Sequence, residues 1–187
     1  MSPRTRRGFT VVELLISLTV FAIGVSGVIA AQHVTVAANQ HAKNLAIATS
    51  VAQAWQDQLA ADATLWTGQT GLANTTWLQA ADNNLDWFRP AFDATRNFGA
   101  AFDALGNVVT DANVAQAHFC THVRLTMLYP QAGANGLMRA EIRVFWLRDG
   151  GTGTSPVCSP AARVADIGAQ PENYHFVYQT SALKQMP

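Results

Sequence analysis

The sequence predicts an α+β fold: one long N-terminal α-helix, half membrane anchor and half amphipathic, packed on an antiparallel β-sheet head. Three observations carry that prediction. A run of eighteen uncharged residues, Leu14 to Ala31, stands near the start of the 187-residue chain. No proline or glycine interrupts Gln32 to Ala63. The C-terminal third alternates apolar and polar residues with a period of two, as half-buried strands do.

Residues 1–8 form a basic head, with Arg4, Arg6 and Arg7 and no acid, that stops at Gly8. Phe9 opens the apolar run, and a single carboxylate, Glu13, sits just inside it. Residues 9–31 together reach the ~20 residues that span a bilayer as a helix. An ordinary secretory signal is cut after its apolar core and loses it. A cut at Gly8–Phe9 would instead leave the core on the mature chain. Basic residues before the segment keep that end cytoplasmic. Ser17, Thr19 and Ser26 are small hydroxyls able to bond back to their own helix. Gly24 and Gly27 each cost about 1 kcal/mol relative to alanine in a helix. Small residues in a membrane helix permit close approach of a neighbour, or simply let the helix bend.

Residues 32–63 continue the helix. Leu45, Ala48, Ala52, Trp55 and Leu59 recur at spacings of three and four, so they form the face expected to meet the head. Gln40, Lys43, Asn44, Gln53 and Asp57 are expected to face outward. A helix from Phe9 to Ala63 would be about 80 Å long, more than a domain of this size needs and suited to a packing shaft. Residues 64–187 form the globular head. Turn formers interrupt its first part, from residue 67 to 113, and Trp66, Trp77, Trp87, Phe88, Phe92, Phe98 and Phe102 are spread through it. This reads as a connector wrapped on the core by its aromatics, with a short helix near Thr75 to Leu85.

Three strands follow. In His118 to Tyr129 the odd positions Phe119, Thr121, Val123, Leu125, Met127 and Tyr129 share one face, and His118, Cys120, His122 and Arg124 take the other. After a turn at Pro130 to Gly136, Met138, Ala140, Ile142, Val144 and Trp146 repeat the pattern, opposed by Arg139, Glu141 and Arg143. Tyr174 to Thr180 supplies the third strand after the flexible run Gly150 to Pro156. One face of the sheet is expected on the long helix. The arginine face reads as a solvated surface or a subunit interface.

Composition narrows the function. The chain holds 12 basic and 12 acidic side chains, and three of the basic ones precede Phe9, so the remainder is mildly acidic. Nucleic-acid binding by clustered Lys or Arg is therefore not expected. No catalytic motif of the GxSxG, HExxH or phosphate-loop type occurs, no cofactor is implied, and no enzymatic activity is expected. Cys120 and Cys158 read as a disulfide if the head lies outside the cytoplasm, or otherwise as free or metal-binding thiols. A zinc site from His118, Cys120, His122 and Cys158 is disfavoured, because alternate residues of a strand lie close to 7 Å apart. His33 and His41 read as packing or solvent residues.

The segment RRGFTVVE and the following LLISLTVFAIGVSGVIAAQ resemble the class III leader and N-terminal helix of type IV pilins and type II secretion pseudopilins. The AIGVSG step is most similar to PilV-type minor pilins. The region around Ala30 lacks the proline that major pilins usually carry there. The resemblance implies a type IV pilin fold and cleavage between Gly8 and Phe9 by prepilin peptidase. It also implies N-methylation of Phe9 and a role for Glu13 in subunit assembly, paired with the terminal amine of an adjacent subunit. An ionised carboxylate in hydrocarbon costs several kcal/mol and seldom stays unpaired. Glu13 has no Lys or Arg at i+3 or i+4, where Ile16 and Ser17 stand; the alternative is a carboxylate snorkelling near the helix start, where the dipole favours it. The implied partners are other minor and major pilins, prepilin peptidase, the inner-membrane assembly platform and a tip adhesin. The implied location is the inner membrane with a periplasmic head, then the extracellular pilus. The same residues would also suit a type II secretion pseudopilin or a membrane-anchored periplasmic binding module.

Overall fold

The computed structural model describes residues 10–82, 86–129, 136–148, 157–158 and 164–187. Helix α1 runs Val11–Ala63. Contacts group the chain into two compact units, Met1–Lys43 and Asn44–Pro187.

In the N-terminal unit, α1 starts at a cap that its sequence encodes. Thr10 accepts the Glu13 N–H on its hydroxyl (3.3 Å), and its carbonyl accepts the Leu14 N–H (3.2 Å). Thr10-x-x-Glu13 is thus the threonine–glutamate pattern of a capping box, with the acid also favoured by the helix dipole. The expected back-bonding holds: Ser17 donates to the Glu13 carbonyl (2.8 Å), Thr19 to Ile16 (2.8 Å) and Ser26 to Ala22 (2.9 Å). Each hydroxyl is satisfied by its own helix, without water. The large apolar side chains from Val11 to Ile29 are exposed, and this is a helix long and apolar enough to cross a membrane.

In the head unit the helix buries Ala48, Val51, Ala52, Trp55, Leu59, Asp62 and Ala63. Leu45, expected on that face, is 44% exposed, because the packed stripe begins only a turn later. Five antiparallel strands form one sheet in the order β2-β1-β3-β4-β5. They are β1 (Ala101–Phe102), β2 (Val108–Val109), β3 (Phe119–Tyr129), β4 (Leu137–Leu147) and β5 (Tyr174–Lys184). The two short strands come from the connector and carry no signal in the sequence, because two-residue elements show no periodicity. β5 also extends four residues past the expected Thr180. The expected short helix is a 3-10 turn at Leu78–Asp82. A second 3-10 segment, Asp111–Gln116, precedes β3, and helix α2 (Val164–Ala169) precedes β5.

The main core lies between α1 and one sheet face. Trp55 meets Trp77 and Phe98 edge-to-face at 5.2 and 4.9 Å, and Phe119 meets Trp146 at 5.6 Å. Trp66, Trp77, Phe98 and Phe102 from the connector are buried as expected, while Trp87, Phe88 and Phe92 are half-buried. Tyr129, expected on the core face, is 63% exposed, since a register irregularity after Met127 ends the alternation. The C-terminus closes on the chain just after α1. Gln185 donates to the Thr67 carbonyl and accepts the Gly136 N–H, and Met186 N–H bonds the Trp66 carbonyl. Gly136 permits this: a Cβ there would sit 2.5 Å from the Trp66 ring.

The opposite sheet face carries a second core where solvent was expected. Cys120, Phe145 and Tyr174 pack with Val157, Cys158 and Ile167. Residues 130–135 of the expected first turn, and the run Gly150 to Pro156, lie outside the described residues.

Candidate functional site

Gly8 and Phe9, the expected processing site, lie outside the described residues. Glu13 is exposed in the first turn of α1 and makes no ion pair among the described residues. Its backbone N–H is capped, but no cation in the described chain neutralises its charge. Further along, no atom of the chain outside the local helix backbone comes within 4 Å of a Cβ built on Gly24 or Gly27. Among the described residues nothing therefore demands glycine at either position.

In the head, Asp62 is the buried carboxylate that periodicity did not single out. Its side chain is fully buried and accepts the backbone N–H groups of Thr76, Trp77 and Leu78 at 2.7–3.1 Å. Arg96 completes the shell at 3.2 Å. These donors are the free N–H groups opening the 3-10 turn at Leu78, so Asp62 caps from helix α1 what the turn cannot satisfy itself. The signal was present: Asp62 stands seven residues after Trp55 and three after Leu59, on the buried stripe.

Cys120 and Cys158 are joined by a disulfide, with Cα atoms 5.0 Å apart across 38 residues. Both sulfurs are thereby committed to each other, which removes thiolates from the zinc set. Cys158 is held against β3, and with it the segment covering the second core.

Beside that core, the arginine side of the sheet departs from the solvated surface expected. Arg124 forms a two-point ion pair with Glu141 across β3 and β4 (2.8 and 2.9 Å), and Arg139 joins Glu141 at 3.3 Å. The Arg124 hydrogen bond holds the Glu141 carboxyl below the usual carboxylate range. Arg143, however, is only 6% exposed. Phe88 bridges to Val123 of β3 by paired backbone bonds of 2.9 Å. That bridge lays Trp87 over the guanidinium groups of Arg143 (4.5 Å) and Arg124 (4.9 Å). The ring face is electron-rich and covers charge favourably.

His122 is Arg143's cross-strand partner. A guanidinium only donates, so the 2.9 Å contact from Arg143 Nη2 makes His122 Nδ1 an acceptor and leaves the proton on Nε2. Burial, then the charges of Arg143 and Arg89, push the His122 pKa down to about 3. In the unfolded chain the imidazole takes a proton below about pH 6.5, whereas the folded head resists it until about 3. Stability is therefore full above about pH 6.5 and falls as pH drops through that window, by about 1.4 kcal/mol per unit. All five tryptophans belong to the head, so urea titrations followed by their fluorescence read the head alone. His122→Gln keeps an acceptor for Arg143 and does not titrate. The parent is expected to lose about 2 kcal/mol more than this variant between about pH 7 and pH 5; equal losses would contradict the neutral, buried imidazole.

Compared with known proteins, residues 3–29 match the family model of the prokaryotic N-terminal methylation motif. No curated protein and no solved structure matches the chain. The motif match supports a type IV pilin-like or pseudopilin-like protein of the kind processed by prepilin peptidase. The long apolar N-terminal helix and five-stranded antiparallel sheet are consistent with the type IV pilin fold.

Proposed function

We propose that the chain is a minor pilin of a type IV pilus, incorporated through its N-terminal helix into the tip or initiation complex. The observation that carries this reading is the junction itself: a basic leader ending in glycine, then an exposed apolar helical stretch that is uncharged from Leu14 to Ala31, with the carboxylate of Glu13 just before it. Prepilin peptidase would cut between Gly8 and Phe9, and Phe9 would then be methylated. The mature subunit waits in the inner membrane with its head in the periplasm and leaves as part of the extracellular fibre, supporting adhesion or motility. Its partners are other minor and major pilins, the assembly platform and a tip adhesin. Leaving lipid costs little, because the helix passes from one apolar surrounding to another.

Two features of α1 support packing among such helices. Glu13 is charged and unmatched among the described residues, so the terminal amine of a neighbouring Phe9 would neutralise both groups and fix the axial stagger. Gly24 and Gly27 leave open space where a neighbouring helix can come close. Glu13→Ala tests the pairing. The leader should be removed as in the parent, while incorporation into sheared fibres falls about tenfold or more, the loss expected when a pair worth at least about 1.4 kcal/mol is removed. Unchanged incorporation of processed Glu13→Ala subunits would overturn the assembly role.

A further inference from the structure

We propose that the sheet face around Arg143 and Tyr178 binds an acidic saccharide, with a sugar carboxylate received by Arg143 and the pyranose ring lying on Tyr178 and Trp87. This binding site is separate from the assembly helix and does not depend on the pilus reading.

Every other arginine on this face has a carboxylate: Arg124 and Arg139 share Glu141, and Arg89 pairs with Asp111. Arg143 is the most buried of them and has no carboxylate partner among the described residues. Its partners are all neutral: His122 Nδ1, the Trp87 ring and the Tyr178 hydroxyl. A buried cation without an anion is costly, and a ligand carboxylate with two acceptor oxygens would match the guanidinium fork.

Access comes from Tyr178. It is 61% exposed and hydrogen-bonds Arg143 through its hydroxyl, so a small tilt of the ring would hand that bond to a carboxylate oxygen while its exposed face stays in place for the sugar. The surroundings suit a sugar ring. Tyr178 stacks on Phe176 at 5.8 Å with the planes 24° apart and meets Trp87 edge-to-face at 6.1 Å. Aromatic faces carry negative charge that attracts the electron-poor C–H bonds of a pyranose. An extended acidic peptide fits less well. It would add to the edge strand β5, whereas Arg143 lies on β4, one strand spacing of about 4.8 Å further in. A ligand lying on the face meets Arg143 and Tyr178 together.

The test uses the full chain in micelles of a detergent without a sugar headgroup, titrated calorimetrically. Tetragalacturonate is compared with neutral galactotetraose and with tetraglutamate. Tetragalacturonate is expected to bind about tenfold tighter than either control, the discrimination of one charge-assisted bidentate contact. Arg143→Gln should abolish the preference for the acid. Should that variant unfold, Tyr178 decides the matter, since it is exposed: Tyr178→Ala weakens binding about fivefold or more, and Tyr178→Phe binds as tightly as the parent or tighter, having lost only the competing hydroxyl. No binding of tetragalacturonate, equal binding of galactotetraose, equal binding of tetraglutamate, or an unchanged Tyr178→Ala would each overturn the proposal.

Discussion

Asp62→Ala is expected to remove about 3–5 kcal/mol from the stability of the head, the cost of breaking a buried, charge-assisted network by deleting one partner. That range is a large part of a small domain's total stability, so the variant should populate unfolded head at room temperature. The reason lies in what remains. The N–H groups of Thr76, Trp77 and Leu78 lose their acceptor, the last two where they are buried, and Arg96 loses its buried counter-charge. Trp77 is the residue that Asp62 pins most closely (2.7 Å), and its ring closes on Trp55. Loosening the turn therefore loosens the core contact. Asp62→Asn separates charge from geometry, because one amide oxygen can occupy the Oδ2 position that bonds all three N–H groups. It should cost about 1–2 kcal/mol. Urea midpoints followed by tryptophan fluorescence check both substitutions. An alanine variant within about 1 kcal/mol of the parent would show that the turn does not depend on this carboxylate.

Replacing Cys120 and Cys158 together by alanine is expected to cost about 4 kcal/mol, from the closure entropy of a loop of this length. The bond holds a cover rather than a core. Cys158, Val157 and Ile167 lie over Cys120, Phe145 and Tyr174, and that small cluster adds less apolar burial than the helix side does. Reductant should lower the urea midpoint of the parent and leave the double variant unmoved. If the parent is indifferent to reductant while the thiols are shown to be free, the second core stands without the link.

The main architecture was legible because it rests on periodicity. Trp55 and Leu59 on one helical stripe, and Val123, Leu125, Ile142 and Val144 on alternate strand positions, are all buried where their spacing put them. Period-2 alternation identifies two faces but not what covers the second. His122 and Arg143 read as a polar surface, since nothing local announces that Trp87, more than thirty residues upstream, returns to cover them. Asp62 was hidden by its type, as charged residues on a buried stripe are rare unless something distant satisfies them. The Thr10-to-Glu13 capping pattern was readable but stood in the shadow of the cleavage junction beside it. Connector strands of two residues lie below what any pattern resolves.

On this reading the apolar helix stays on the mature protein, with a new N-terminus at Phe9. Intact-mass and N-terminal fragment analysis of the chain, extracted from membranes after expression beside prepilin peptidase, tests it most directly. The expected product lacks only residues 1–8, begins at Phe9 and carries one added methyl group. A chain still beginning at Met1, or a soluble head clipped beyond Ala31, would contradict it.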